Sequence, residues 1–259
     1  MKKAFFTTAL LAVAASHAAA QTIVTPSNLQ GWAPNFISAF GTVAITATQP
    51  RGAGTGSLKL TGTGSADRTR YAFGTPRNGV GLGKLNELST LSFDWFRSSS
   101  STTSAWHVPV FRLTIADPGQ QINFFELVWE YEYQFQNSLN SAPTNQWINN
   151  QDLLEGNWYR GASVGFGCTT LYFSCLRRST NWGFSADAYV YGISIGTGGG
   201  WADAFNGFAD DVRIGFGTAP VTSFDFETQV AVIPEPSTYA LLASGLVGLF
   251  AVQRRRRRA

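Results

Sequence analysis

Three glutamates that could act as a catalytic pair or triad share one predicted strand. Glu126, Glu130 and Glu132 have the same parity along residues 124–133, and alternate residues of a strand point to the same sheet face. Two carboxyl groups that flank a glycosidic bond are what a glycoside hydrolase needs. The residues of the opposite parity form the predicted buried set: Phe125, Leu127 and Trp129. We therefore interpret the glutamates as a solvated outer face in preference to a catalytic or sugar-binding groove.

Histidine, the commonest general base, is scarce in this chain. His17 lies in the N-terminal leader and His107 stands alone before a predicted strand, so a Ser-His-Asp arrangement would depend on that one residue. No cluster of His and Cys has the spacing of a metal site. We expect no catalytic residues, no enzymatic activity and no cofactor.

Three aspartates near the end of the body are candidates for calcium ligands: Asp203, Asp210 and Asp211. Their oxygens suit Ca²⁺, but their spacing differs from that of an EF-hand loop. Adjacent residues of a strand point to opposite faces, so either Asp210 or Asp211 would face inward and need a partner. The sequence favours a structural role in capping backbone groups over calcium binding.

Tryptophan rings can stack on the apolar faces of sugar rings, so exposed ones are candidate saccharide contacts. Most of the tryptophans are expected in the core, because each buries a large area. Four lie in loop-like surroundings rich in Asn and Gly, and these are the candidate ligand-binding residues: Trp147, Trp158, Trp182 and Trp201.

The segments that must position these residues alternate apolar and polar side chains with a period of two. This pattern, with Gly-, Ser- and Pro-rich breaks, predicts an all-β fold, an antiparallel β-sandwich that spans 21–230 as one domain. One helical turn is expected at 149–156. The predicted strands are 42–48, 57–61, 69–73, 88–96, 108–115, 124–133, 162–166, 186–195, 208–216 and 221–227.

Composition supports a packed core and argues against a nucleic-acid partner. Hydrophobic residues make up 44% of the 259 and charged residues only 14%, against about 25% charged in typical domains. The formal net charge of +3 comes from lysines and arginines at the two ends, and acidic residues outnumber basic ones in the body. The body therefore lacks the basic face that nucleic-acid binding requires.

The N-terminus has the three parts of a secretory signal peptide. Lys2 and Lys3 precede an apolar stretch at 4–15, and the small residues Ala18 and Ala20 precede Gln21. The pattern predicts a signal helix over 1–20 that engages the secretion machinery and is cut by signal peptidase after Ala20. The apolar stretch is too short for an ordinary membrane span, which needs about 20 residues.

The C-terminus combines a short apolar segment with a basic end. Residues 238–252 are uncharged and would extend about 23 Å as a helix, less than a hydrocarbon core of about 30 Å. We expect a short transmembrane helix that holds the chain only transiently. Arginines stay on the cytoplasmic side, so the body lies outside. They are Arg254, Arg255, Arg256, Arg257 and Arg258.

Residues 231–259 resemble the PEP-CTERM sorting domain, with Pro234, Glu235 and Pro236 before the apolar segment and the arginines after it. The resemblance implies processing by an exosortase-type enzyme, with the chain passing through an inner-membrane intermediate to the cell surface or extracellular matrix. The two prolines hold the strip extended, as a processing cleft would require. The alternative is a proline-stiffened linker ahead of a permanent anchor.

Three short segments resemble the jelly-roll sandwiches of lectin-like and carbohydrate-binding modules: Gly56-Ser-Leu-Lys-Leu, Leu88-Ser-Thr-Leu-Ser-Phe-Asp-Trp and Gly207-Phe-Ala-Asp-Asp-Val-Arg-Ile. The resemblance implies a jelly-roll type of sandwich. It implies no function, because function belongs to sites and not to folds.

Cys168 and Cys175 are expected to form a disulfide that staples a hairpin, because a pair at this spacing in an exported protein is most often oxidised. The resulting expectation is a non-enzymatic structural protein of the envelope or exopolysaccharide. A carbohydrate-binding module, with polysaccharide as partner, is the first alternative. A secreted glycan-active enzyme is the second.

Overall fold

The computed structural model describes residues 21–38, 40–64, 68–74, 80–120, 122–135, 140–161, 177–178, 182–229, 244 and 253–254. Several predicted features lie outside these residues. They are the cleavage residues Ala18 and Ala20, the strand at 162–166, the Cys168–Cys175 disulfide, the Pro234-Glu235-Pro236 motif and the arginines 255–258.

The described part of the chain is built from short strands. Three-residue and four-residue 3-10 turns lie at Leu85–Glu87, Pro118–Gln120 and Tyr131–Gln134. The strands are β1 (Gln21–Val24), β2 (Trp32–Ile37), β3 (Thr42–Thr46), β4 (Ser57–Gly62), β5 (Thr69–Phe73), β6 (Gly83–Lys84), β7 (Leu88–Arg97), β8 (Val110–Asp117), β9 (Ile122–Trp129), β10 (Trp147–Asp152), β11 (Asn157–Gly161), β12 (Arg177–Arg178), β13 (Tyr189–Gly196), β14 (Phe205–Phe216) and β15 (Thr222–Phe226).

The strands form two sheets. In the first, β14 is the central strand: one edge pairs with β7, and the other pairs with β4 along its first half and with β15 along its second. The outer strands of this sheet are β1, β3 and β10. The second sheet runs in the order β12-β11-β9-β8-β13-β5-β2, with β6 beside β13. Among the described pairs, β1 with β15 is parallel and the others are antiparallel.

Aromatic side chains from both sheets fill the space between them. Trp32 of the second sheet meets Phe224 and Phe226 of the first edge to face, with ring centroids 5.4 and 5.1 Å apart. At the other end, Phe93 of the first sheet lies 5.4 Å from Phe111 of the second. Rings of this size bury large apolar areas, and they join the two sheets into one sandwich.

The prediction of a two-sheet all-β fold is confirmed, and most of the described strands lie where alternation placed them. β5 coincides with its predicted range, and β14 begins three residues earlier than predicted. The helical turn predicted at 149–156 is wrong, because β10 occupies its first half and pairs with β7. The predicted strand 124–133 ends at Trp129, and the 3-10 turn follows.

No helix in the described residues is long and apolar enough to cross a bilayer. Neither the N-terminal signal helix nor the C-terminal transmembrane helix is part of what the structure describes, so both stay predictions.

Candidate functional site

A bulge in β14 buries two adjacent carboxylates. The pairing of β14 with β7 shifts register between Asp210 and Arg213, and Asp211 has a left-handed φ of 43°. A bulge turns an extra side chain to the same side of the strand, so Asp210 and Asp211 are only 0% and 1% exposed. Asp210 Oδ1 accepts the backbone N–H groups of Asp211 and Phe226, both at 2.8 Å. This is the backbone-capping arrangement that the sequence favoured.

The structure does not bring the three calcium candidates together. Asp203 lies on an exposed loop before β14, about 20 Å along an extended chain from Asp210. Within the ranges described above, no group of three or more His, Cys, Asp or Glu side chains could hold a metal ion.

Arg51 neutralises the inner carboxylates from the loop that follows β3. Its Nε donates to Asp94 Oδ2 and its Nη2 to Asp211 Oδ2 at 3.1 Å. Arg213 Nη2 donates to the same Asp211 oxygen at 2.5 Å, and the Asn150 N–H donates to Asp94 Oδ1 at 2.6 Å. Burial raises the pKa of Asp94, while Asn150 and Arg51 oppose that rise.

A cavity of about 470 Å³ opens beside this cluster, and we call it the Trp147 pocket. Its wall combines one aromatic ring with amide, guanidinium and carboxyl groups, which is the composition of a site that orients a polar ligand. The lining residues are Gln21, Ile23, Arg51, Gly52, Ala53, Gly54, Thr55, Trp147, Asn149, Asp225 and Glu227.

The ring of Trp147 is held in place although it is half-buried. Trp147 pairs with Phe96 in the register of β10 and β7, and the two ring centroids are 5.7 Å apart. The indole Nε1 donates to the Pro50 carbonyl at 3.3 Å. A ring fixed on two sides loses little freedom when a ligand stacks on it, so Trp147 is a preorganised candidate for a ligand contact.

The two carboxyl groups of the pocket differ in how they are held. Glu227 Oε2 accepts the Thr55 hydroxyl at 2.6 Å and also the Thr55 N–H. Asp225 lies between Glu227 and the buried Asp210, and burial together with the Glu227 charge raises its pKa. Burial and the Asp225 charge also raise the pKa of Asp210. Burial and the neighbouring carboxyl groups therefore hold the pKa of Asp225 above its ordinary value.

The other three candidate tryptophans are buried and are unavailable to a ligand in this structure. Trp158 and Trp182 are 1% and 6% exposed, and their rings meet edge to face at 5.6 Å. Trp201 is 7% exposed and stacks on His107 at 4.3 Å. Of the four, Trp147 is the one that stays a candidate ligand contact.

The one histidine of the body lies in a buried hydrogen-bonded chain. Thr103 Oγ1 lies 2.7 Å from His107 Nδ1, and Glu132 Oε2 lies 3.2 Å from Nε2. The order of the groups resembles a nucleophile, base and orienting acid. However, Thr103 is only 4% exposed, so a substrate cannot reach its hydroxyl. We therefore interpret these hydrogen bonds as structural.

The three glutamates do not form one solvated face. Glu126 is half-buried on β9, Glu132 lies in the turn Tyr131–Gln134, and Glu130 is 7% exposed. The Tyr159 hydroxyl donates to Glu130 Oε1 at 3.0 Å. Burial raises the pKa of Glu130 to about 7, although the charge of Arg112 opposes the rise. The expectation of a solvated face is therefore wrong for Glu130.

Glu130→Gln is expected to stabilise the protein at pH 8 and to change little at pH 4.5. The native carboxyl loses its proton near pH 7 and the unfolded one near its ordinary value of 4.5. The native state binds more protons between these values, so wild-type stability falls as pH rises from 4.5 to 7, by about 3 kcal/mol. Glutamine, which stays neutral, avoids this loss.

Urea unfolding at the two pH values measures the difference. A variant that is destabilised more at pH 8 than at pH 4.5 would show that Glu130 contributes to stability as a charged partner of Arg112, contrary to its raised pKa.

Sequence reasoning missed most of the Trp147 pocket. Arg51 lies 43 residues from Asp94 and 160 residues from Asp211 along the chain, so no local pattern links the arginine of the pocket to the buried carboxylates that hold it. The local signals were Trp147, in its polar neighbourhood, and the adjacent pair Asp210 and Asp211 in an otherwise apolar strand, which indicated a need for buried partners.

No curated protein matches the sequence. The fold is similar at low level to a family 11 carbohydrate-binding module from Clostridium thermocellum in complex with a β-1,3-1,4-mixed-linked tetrasaccharide. The identity is 10%, the coverage 77% of this chain and 91% of that one, and the TM-score 0.38. A second similar structure is the family 11 module of the cellulosomal cellulase Lic26A-Cel5E of Clostridium thermocellum. Its sequence identity is 9%, the coverage is 75% of this chain and 88% of that one, and the TM-score is 0.37.

A carbohydrate-binding module specific for non-crystalline cellulose, CBM28, gives 16% identity, 71% and 87% coverage, and a TM-score of 0.35. Likenesses this low assign neither a ligand nor a family to the chain. Residues 232–257 match the PEP-CTERM protein-sorting motif, which confirms the predicted sorting signal and marks the chain as an exported protein that is sorted by way of the membrane.

Proposed function

We propose that this chain is a non-enzymatic protein of the cell surface or extracellular matrix, and that its sandwich binds a saccharide in the Trp147 pocket. The observation that carries the proposal is one fixed, half-buried indole ring in the wall of a 470 Å³ cavity. The ring offers an apolar platform, and the neighbouring Asn149 and Asp225 offer hydrogen-bonding groups. A site of this kind binds its ligand without catalysing a reaction.

The charge of the pocket favours a neutral saccharide. Asp225 and Glu227 line it together with Arg51, whose guanidinium already donates to Asp94 and Asp211. Carboxylate oxygens accept hydrogen bonds from sugar hydroxyls but repel an anionic ligand. We therefore expect an uncharged sugar to bind here.

A binding role explains the pocket better than hydrolysis does. Glycoside hydrolysis requires two carboxyl groups free to act on opposite sides of the scissile bond. Of the two that line the described pocket, Glu227 is held by the hydroxyl and the N–H of Thr55, which leaves Asp225 alone.

The sorting signal supports a location of the folded body outside the cell. The sorting motif at 232–257 implies exosortase processing, and the described core ends at Phe226, before the motif begins. The body can therefore fold as a unit while the tail engages the membrane. Retention on a surface or in a polysaccharide matrix is the role that a saccharide-binding body would serve.

Binding of the full chain to an array of neutral and charged oligosaccharides tests the proposal. At least one neutral saccharide is expected to bind, and Trp147→Ala is expected to weaken it roughly tenfold, because truncating a central aromatic contact commonly costs more than about 1 kcal/mol. Trp106→Ala, which removes another half-buried ring, is the matched control. No binding on the array, or equal loss in both variants, would contradict the proposal.

A further inference from the structure

A second polar surface lies on the outer face of the second sheet, away from the Trp147 pocket. In the register of β8, β13 and β5, Arg112 lies beside Ser194, and Ser194 beside Ala72. Arg70 precedes Ala72 by two residues, so Arg70 and Arg112 point to the same face of the sheet. We call this surface the arginine basin and define it by Arg70, Arg112, Glu126 and Ser194.

The strand between the two arginines presents small residues to this face. Gly192, Ser194 and Gly196 alternate with Ile193 and Ile195, which are about 1% exposed and pack into the core. The outward positions carry at most a hydroxymethyl group and are themselves buried, so the backbone of β13 forms a floor that neighbouring side chains cover. The long side chains of Arg70 and Arg112 rise on either side of it.

An ion pair lies across this floor. Arg70 Nη1 contacts Glu126 Oε1 at 2.5 Å, although β5 and β9 are separated by β13 and β8. Three gaps between strands correspond to about 14 Å at the usual spacing, so both side chains reach over the strands between them. Arg112 lies beneath the pair and is 3% exposed.

The guanidinium groups of Arg70 and Arg112 each have one N–H donor in the basin that makes no hydrogen bond. Arg112 Nη2 donates to the Thr197 carbonyl at 2.8 Å, but Arg112 Nη1 and Arg70 Nε are buried without a hydrogen-bond partner. A buried N–H of a cation is costly to leave unsatisfied. Planar guanidinium forks match the geometry of a carboxylate, so an anion placed here would satisfy donors that the protein itself leaves open.

The basin has a positive balance and an open edge. Glu130, next to Arg112, is half-neutral near pH 7 because burial raises its pKa to about 7. That leaves Glu126 as the main counter-charge to the two arginines. The side chains of Arg70 and Glu126 are 21% and 29% exposed, so a ligand from solvent can reach the ion pair that covers Arg112.

An aromatic pair borders the basin on the side of Glu126. Phe124 precedes Glu126 by two residues and shares its face of the strand, and its side chain is 49% exposed. Its ring meets Tyr191 edge to face at 5.2 Å. An exposed ring beside a cation suits a ligand that has both an apolar ring face and an anionic group.

We propose that the arginine basin binds a uronate unit of an acidic polysaccharide. The carboxylate of the sugar replaces Glu126 on Arg70 and accepts from the open donor of Arg112, while the pyranose ring lies over Phe124. This site is separate from the Trp147 pocket and does not depend on it. The ring of Phe124 favours a sugar over an acidic peptide.

Titration of the full chain with a glucuronic acid oligosaccharide, followed by calorimetry, tests the basin. The uncharged glucose oligosaccharide of the same length, oligoglutamate and inorganic sulfate serve as comparison ligands. The glucuronate oligosaccharide is expected to bind more tightly than all three. Arg70→Gln is expected to weaken it roughly tenfold, because a charge-assisted contact is lost.

Glu126→Gln is the distinguishing variant. It removes the carboxylate that competes for Arg70, so glucuronate affinity is expected to rise several-fold. A basin that served only the fold would give no such rise. Lys59→Gln, which removes a cation from the first sheet, is the matched control and is expected to leave the affinity unchanged.

Two results would overturn the proposal that the arginine basin binds a uronate. One is no glucuronate binding by wild type and by Glu126→Gln when both are folded by thermal melting. The other is oligoglutamate or sulfate binding as tightly as glucuronate, which would mean a general anion site. Because neutral saccharides report on the Trp147 pocket, loss of neutral binding alone rejects the proposed function, and loss of glucuronate binding alone rejects the basin.

Discussion

Arg51→Met is expected to lower the free energy of unfolding by about 3 kcal/mol at pH 7, because removing one partner of a buried ion pair leaves the other charge uncompensated. Arg51 is the shared cation of Asp94 and Asp211, whose side chains are fully buried while its own is 28% exposed. Among the residues that the structure describes, the Asn150 N–H is then the remaining donor to Asp94. Urea unfolding followed by tryptophan fluorescence measures the change.

The penalty of Arg51→Met is expected to shrink as pH falls. Burial already raises the pKa of Asp94, and Arg51 opposes that rise, so the variant binds a proton there at a higher pH than the wild type. Arg213→Met is the matched control, because Arg213 also contacts Asp211 but its side chain is 39% exposed. It is expected to cost about 1 kcal/mol or less. Equal costs for the two variants would contradict the central role of Arg51.

Deleting 232–259 is expected to redirect the protein completely, from the cell surface or matrix to the periplasm or the medium. The deletion removes the sorting motif at 232–257 and leaves every residue of the described core, which ends at Phe226. The body is therefore expected to stay folded. Fractionation of an exosortase-bearing host, followed by immunoblotting, measures where each chain accumulates.

A second variant separates the motif from the membrane segment. Replacing both Pro234 and Pro236 by alanine keeps the apolar segment and the arginines, so the chain is expected to remain uncleaved in the inner membrane. The same location for the full chain, the deletion and this variant would contradict a sorting role. Retention of only the proline variant in the membrane would support it.

Strands whose two faces differ were the predictable part of the fold. β5, β7 and β14 each have one strongly apolar face, and alternation placed them within three residues. β2 was missed because Pro34 interrupts its pattern, and five of its six residues are exposed. Such a strand depends on its neighbour for its position, and its own sequence carries little of the periodic signal.

β10 shows how tertiary pairing overrides local preference. Residues 149–156 have the polar composition of a turn, yet β10 pairs with β7 from Trp147 to Asp152. Asn150, with a φ of 51°, provides the bulge that the pairing needs. This pairing also sets Trp147 against Phe96, so the pocket ring depends on a strand that the sequence did not predict.

Only one residue of the Trp147 pocket was predicted from the sequence. Trp147 was identified from its residue type and polar neighbourhood, but the same reasoning also selected Trp158, Trp182 and Trp201, which are buried. Composition cannot tell an exposed ring in a loop from one that a loop folds inward. Asp225 and Glu227 alternate with the buried Phe224 and Phe226, and only the two-sheet arrangement shows that they line a cavity with Arg51.

The arginine basin illustrates the same limit. Arg70, Arg112 and Glu126 lie on three strands, and only the sheet order shows that Arg112 is beneath the other two. What the sequence did indicate was parity along β9, which placed Phe125, Leu127 and Trp129 in the core and Glu126 on the opposite face.

The indole N–H spectrum of the protein during titration with its neutral saccharide tests the account most directly. Trp147→Phe assigns the Trp147 signal, because that signal disappears from the spectrum. We predict that saturating saccharide shifts the Trp147 resonance, while the resonances of fully buried rings such as Trp95 and Trp129 stay in place. Saccharide binding that moves other indole signals and leaves Trp147 unchanged would contradict the account.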